Sequence, residues 1–209
     1  MGSSFLYINV IWSKEMRSGI YQPSAILGYI YAVLYAATYR LSFTGFLRTD
    51  FPRIPFPEER AAFERLSQLG CEIIETHLMR RWPDSELGRY RSDGDNMVRE
   101  VRYVAAEKAI YINSSQRFVP VPPEVWAFHV GGYQVLLKYL KDRKGRTHRF
   151  GPKKGQDWPL MLDEIENVEK VVNILAFTIK QMKASTRLTE PLFLPSLRAC
   201  GALRAPPRL

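Results

Sequence analysis

The chain has 209 residues, 46% of them hydrophobic, and a formal net charge of +9. That length suits one ordinary domain or one and a half small ones, with a real apolar core. The basic excess points to nucleic acid, an anionic membrane surface or an acidic protein as partner, and the two cysteines, Cys71 and Cys200, exclude a disulfide framework and fit a cytoplasmic setting.

His77, His129 and His148 do not fall at metal-ligand spacing with cysteines or carboxylates, so no metal site is expected. The most lipid-like run, AILGYIYAVLYAA at 25–37, is too short to span a bilayer, which needs about 20 apolar residues, and is rich in tyrosine. No basic segment precedes FLYINVIW and no cleavage signal follows it. MGSSFL has leucine at position 6, where myristoylation requires Ser or Thr.

FLYINVIW (5–12) is β-branched and aromatic and predicts a strand. Opening in mid-strand, the sequence hints at more sheet upstream. Pro23 predicts a helix start. Ile26, Ile30, Val33, Leu34, Ala37 and Leu41 then share one face, and Tyr31, Tyr35 and Tyr39 form a second stripe; both are expected in a core. Pro52, Pro55 and Pro57 force an extended connector. Glu58 and Glu59 are expected in the first turn of the next helix, where the dipole favours them. That helix carries Phe63, Leu66, Leu69, Ile73, Ile74, His77 and Leu78 on one side, with His77 read as a packed histidine rather than a catalytic base.

Residues 81–96 read as a polar loop. VREVRYV (98–104), KAIYIN (108–113) and RFVPVP (117–122) predict a small antiparallel meander, with Pro120 suited to an edge. Residues 160–183 give the clearest helix. Met161, Ile165, Val168, Val172, Leu175, Ile179 and Met182 form an unbroken apolar face, for this chain's own core or for a partner. The segment from Arg187, with Pro191, Pro195, Pro206 and Pro207, is expected to be loose. The fold class is therefore α+β: a helical part followed by a small antiparallel sheet with flanking helices.

Catalytic signals are absent. There is no phosphate-binding glycine loop, no dinucleotide fingerprint and no nucleophile elbow. Glu164 and Glu166 read as surface carboxylates. What stands out is WAFHVGGYQVLLKYLKDRKGR at 126–146. Gly131 and Gly132 permit positive φ and read as a structural turn. A helix over 133–144 would bury Val135, Leu136, Tyr139 and Leu140. Lys138, Lys141, Arg143, Lys144, Arg146, Arg149, Lys153 and Lys154 stand against the single acid Asp142. Such density suits phosphate contacts, and Gln134 at a helix start could reach an adenine edge. A solvated basic helix end complementing its own dipole is the other reading.

YIYAVLYAATYR (29–40), FLRTDFPRIPFP (46–57), IYIN (110–113) and above all VPPEVWAFHVGGYQVLLKYLKDRKGR (121–146) resemble one family. It is the C-terminal specificity, or target recognition, region of large bacterial restriction–modification enzymes of type ISP and related fused types. The resemblance runs from about residue 20 to 183. It implies recognition of duplex DNA for adenine-N6 methylation by a methyltransferase domain. That domain would hold S-adenosylmethionine, and its N-P-P-[YFW] motif does not occur in this sequence. The chain is accordingly expected to carry no cofactor, to be no enzyme on its own, and to be a truncated or split piece. Residues 1–186 would form the C-terminal part of the recognition domain, divisible at 20–82 and 97–183, with a tail over 187–209.

The expected DNA contacts are Lys138, Lys141, Arg143, Lys144 and Arg146 on phosphates, with Gln134 and Tyr133 near the groove. Duplex DNA is the expected partner, with a methyltransferase domain or subunit beside it and no membrane. The alternatives are a docking fragment with little DNA affinity, carried by the apolar face of 160–183 and the missing catalytic half, and a non-functional gene remnant.

Overall fold

The computed structural model describes residues 21–199 apart from 53, 56, 58, 84, 92, 149–151 and 153, and leaves out the side chains of 46 and 192–199. The expected strand over 5–12 and the placement of Glu58 lie outside the described residues. The chain divides into two units, Met1–Arg81 with Lys180–Leu209, and Trp82–Ile179.

The first unit is helical. Pro23 sits at the start of α1 (Pro23–Tyr35), where its missing N–H costs nothing. The expected single helix through Leu41 is broken. Ala36 is extended (φ −68°, ψ 128°), and a new helix, α2 (Ala37–Ser42), begins after it. The buried face is Ile26, Tyr29, Ala32, Val33, Ala36 and Tyr39, and Leu41, beyond the break, is 76% exposed rather than in the core. It also frees the N–H of Ala37, which donates to Thr186 Oγ1 at 3.0 Å. A short α3 (Thr44–Leu47) leads to the proline connector. There Ile54 is buried, and Pro55 O accepts the Tyr29 hydroxyl at 2.5 Å.

α4 (Arg60–His77) follows, with Glu59 as its N-cap residue rather than inside the first turn. Phe63, Leu66, Leu69 and Ile73 pack on α1. Each such side chain contributes roughly 1.5–3 kcal/mol of burial. Leu78, expected on this face, is the C-cap residue and is exposed. His77 is packed as expected, half-buried with Nδ1 2.8 Å from the Tyr31 hydroxyl. α1 and α4 meet through Gly28 and Gly70. A Cβ on Gly70 would lie 1.8 Å from Gly28 O, so only glycine allows this approach.

The second unit holds a four-stranded antiparallel sheet in the order β1-β4-β3-β2. The meander is present as β2 (Arg102–Val104), β3 (Ala109–Tyr111) and β4 (Arg117–Val119). The polar loop hides one more strand, β1 (Arg89–Arg91), which pairs with β4. β4 is therefore interior, contrary to the edge expectation for Pro120. The ladder ends at Val119, so the proline's missing N–H falls one residue beyond it.

Between β3 and β4, Asn113 Oδ1 accepts the N–H groups of Ser115 and Gln116, shaping the turn. Buried Gln116 then bonds Asn113 and both the backbone and side chain of Asn96. Further on come α5 (Pro123–Trp126), β5 (His129–Val130), β6 (Tyr133–Gln134) and α6 (Val135–Lys141). The last helix, α7, runs Leu162–Ala199. Ile110, Ile112 and Phe118 of the sheet region close a core with Leu136, Leu140, Ile165, Val168, Val172 and Leu175. The apolar face expected on the last helix is thus used inside this unit from Ile165 to Ile179, whereas Met161 precedes the helix and is exposed and Met182 falls in the first unit.

α7 also corrects the expected loose tail: residues 187–199 are helical, and 200–209 lie outside the described residues. In the first unit its later part supplies Ala184 and Leu188 to the apolar cluster and small hydroxyls beside them. Ser185 Oγ donates to Ala32 O at 2.6 Å, and the Thr189 and Thr38 hydroxyls lie 2.9 Å apart. Among the described residues no helix is long and apolar enough to cross a membrane.

Candidate nucleic-acid interface

The double glycine forms a hairpin turn, not a helix start. β5 and β6 pair His129 with Gln134 and Val130 with Tyr133. Gly131 and Gly132 lie between them at φ +56° and +84°. A two-residue hairpin with positive φ at both positions is the twist-compatible connection, and it strongly favours glycine. Neither position has an atom within 4 Å of where a Cβ would sit, so the requirement is conformational and the tip stands in open space. Tyr133 is 63% exposed on this hairpin and Val130 54%.

Gln134 secures the hairpin base. Its Nε2 donates to Trp126 O at 2.6 Å, and Val135 N donates to Phe128 O at 3.1 Å. The amide is half-buried in this role, so in this conformation its donor is directed at the protein. α6 starts at Val135, two residues later than expected. Leu136 and Leu140 are fully buried; Val135 and Tyr139 are partly buried against the same core.

The basic side chains divide into three kinds. Lys138 is held by Asp142, one turn on, at 2.8 Å, and lies 5.7 Å from the Tyr133 ring centre. Arg143 and Arg146 turn inward onto one carboxylate, Glu164. Arg143 Nε donates to Oε1 at 2.9 Å and Arg146 to Oε2 at 2.8 Å. Met161 N donates to the same carboxylate. Arg143 also stacks on the Tyr139 ring at 3.5 Å. The Glu164 side chain is 14% exposed, which corrects its reading as a surface carboxylate. Burial opposes its ionisation, but the bonds and charges of Arg146, the Met161 N–H and Arg143 outweigh that and leave its pKa below the ordinary value. Lys141 and Lys144 are the third kind. Both are exposed, and neither side chain forms an ion pair with a described residue.

Beyond α6 the chain doubles back. Trp158 N donates to Arg146 O, Thr147 bridges Asp157, and His148 N donates to Gln156 O. The His148 and Trp158 rings stack at 4.4 Å. Lys154 is exposed on this return; Arg149 and Lys153, counted in the basic run, lie outside the described residues. The two inward arginines escape sequence reasoning because their partner is about twenty residues away. The signal that could have found them was an acid at the start of the following helix. Among the described residues no three His, Cys, Asp or Glu side chains gather as a metal site would require.

The model of the Type ISP C-terminal specificity domain family matches residues 12–177. No curated protein matches the sequence. Among solved structures the chain is similar to the ATP-dependent Type ISP restriction-modification enzyme LlaBIII bound to DNA, at TM-score 0.59 and 15% identity over 81% of this chain and 12% of that one. It is similar to DrdV in a DrdV–DNA complex, at TM-score 0.61 and 20% identity over 86% of this chain and 19% of that one. A nuclease-deletion mutant of the Type ISP enzyme LlaGI with a DNA substrate mimic gives TM-score 0.50 and 20% identity, over 81% and 14%. The chain thus spans less than a fifth of the length of each of these proteins.

Proposed function

We propose that this chain, which belongs to the family of Type ISP C-terminal specificity domains, binds duplex DNA as the sequence-reading module of an adenine-methylating restriction–modification system. The chemistry would then belong to a methyltransferase part that holds S-adenosylmethionine, with this module positioning the duplex for it. The single observation that carries the reading is the exposed glycine-tipped hairpin followed directly by the open lysines of α6 and its C-terminal turn. An exposed aromatic on a tight hairpin suits entry into a groove, and unpaired lysines suit the flanking phosphates.

The residues divide accordingly. Lys141 and Lys144 contact phosphates, and Lys138 joins them by exchanging Asp142 for a phosphate. Tyr133 faces the groove. Gln134 contributes chiefly by fixing the hairpin, and Arg143 and Arg146 by bracing the turn that carries Lys144. The docking alternative loses one of its two motives, because the apolar face from Ile165 to Ile179 packs in the core of the second unit; the missing catalytic motifs remain as the other.

The test is duplex binding by the purified chain across a salt series, beside Lys141→Glu/Lys144→Glu. Each phosphate contact contributes about −0.9 to the slope of log K against log salt, so losing two flattens it by about 2. An unchanged slope and affinity in the variant would remove these lysines from the interface. No binding by the native chain at low salt would overturn the autonomous module.

A further inference from the structure

The four-stranded sheet has a second basic feature, on the face away from its core. Cross-strand partners share a face. The row Tyr90, Phe118, Ile110 and Tyr103 faces the core, with Phe118 and Ile110 fully buried. The neighbouring row is Arg91, Arg117, Tyr111 and Arg102, on the opposite face, where Tyr111 is buried, Arg117 half-buried, and Arg91 and Arg102 exposed.

Arg91 and Arg117 are direct cross-strand partners. Like charges placed so are destabilising, and a sheet usually sets an acid opposite a base. Other arginines nearby have a carboxylate: Arg89 has Glu169 at 3.3 Å, Arg99 has Asp95, and Arg102 has Glu100 at 4.0 Å. Arg91 and Arg117 form no ion pair with any described residue. Arg117 is held in place by its contact with the Tyr111 ring, 5.5 Å from the centre, and the Tyr111 hydroxyl is tied to Glu107. The acids Glu100 and Glu107 are engaged at the β2–β3 side of the row, leaving the β1–β4 side with two guanidiniums that no carboxylate of a described residue pairs. Two planar forks carried by directly opposed strand positions can converge on one tetrahedral oxyanion, each through paired N–H donors.

We propose that Arg91 and Arg117 form a phosphate-binding site on the β1–β4 side of the sheet face opposite its core, and that it takes a backbone phosphate of duplex DNA. That the phosphate belongs to DNA rests on the function proposed above; the anion site rests on the arginine pair alone.

The experiment compares the full chain with Arg91→Gln/Arg117→Gln. Thermal midpoints are read in inorganic phosphate and in chloride at equal ionic strength, and duplex binding is read across salt. Phosphate stabilises proteins generally, so the difference between the two chains is the signal. The native chain should gain about 2–4 °C more than the variant from near-saturating phosphate. The variant should be at least as stable as the native chain in chloride, because the repulsion is gone. Its DNA salt slope should fall by about 1. Equal gains in phosphate overturn the site. A phosphate gain lost in the variant, with native slope and affinity on DNA retained, keeps the site and overturns DNA as its ligand. A phosphate gain with no duplex binding by the native chain supports the site and overturns the function proposed above.

Discussion

Gly70→Ala separates two physical expectations of opposite sign. Gly70 lies within α4, and alanine is the better helix former by about 0.8–1 kcal/mol. Propensity alone therefore predicts a more stable chain. Packing predicts the reverse. The new Cβ would fall 1.8 Å from Gly28 O, 2.6 Å from Gly28 C and 3.0 Å from Ala32 N, all backbone atoms of the facing helix. No rotamer change relieves that, so α1 and α4 must part by about 1.2 Å to restore even the tightest tolerated contact. Parting by 0.5–1 Å forfeits about a quarter to a half of each facing contact's attraction. Overpacking of this kind costs roughly 1–3 kcal/mol, and a rigid backbone obstacle puts the cost at the upper end or beyond. The net expectation is a loss of about 2 kcal/mol. Urea unfolding followed by far-ultraviolet circular dichroism should show the midpoint falling by about 1 M. A variant as stable as the native chain, or more stable, would refute the close-approach argument.

Two further perturbations test the candidate interface. Glu164→Gln removes the charge that Arg143 and Arg146 share, and should cost about 2 kcal/mol by chemical denaturation at neutral pH. Because the folded-state pKa of Glu164 is depressed, its contribution is present above the ordinary carboxylate pKa and fades as pH falls through the folded value. The difference between the two chains should therefore shrink in acid; a pH-independent gap would sink the ion-pair account. At the hairpin, Gly131→Val should lose about 1–2 kcal/mol and Gly131→Asn much less, since asparagine tolerates the left-handed region. Equal thermal midpoints for the two variants would show that positive φ is not what the turn demands.

Regular elements were legible wherever periodicity was long. The meander and the last helix follow from alternation and from the spacing of Ile165, Val168, Val172 and Leu175. β1 was not legible, because RYR among polar residues becomes a strand only when β4 offers it a ladder. The break at Ala36 was hidden for a similar reason: the apolar spacing continues through it, and its cap is Thr186, distant in sequence. Composition located the basic segment but not its division of labour. Which cations face solvent depends on Glu164 and Asp142, and only folding decides which of them a carboxylate reaches. The glycine pair was read as a turn, but as the entry to a helix rather than a hairpin, since positive φ at two successive residues serves either.

The first unit is discontinuous in the chain, and synthesis has to respect that. Its helices α1 and α4 leave the ribosome before residues 82–179, but Ala184, Ser185, Leu188 and Thr189, which belong with them, come after. At about 5–20 residues per second, the growing chain carries that apolar surface incomplete for roughly 5–20 s. The second unit is no quicker to close, because its core needs Ile165, Val168, Val172 and Leu175, and its own share of α7 ends at Ile179, only a few residues before Ala184. Both units are therefore completed by the same late helix, and through the synthesis of residues 82–179 it is the exposed apolar pairing of α1 and α4 that chaperones would have to cover.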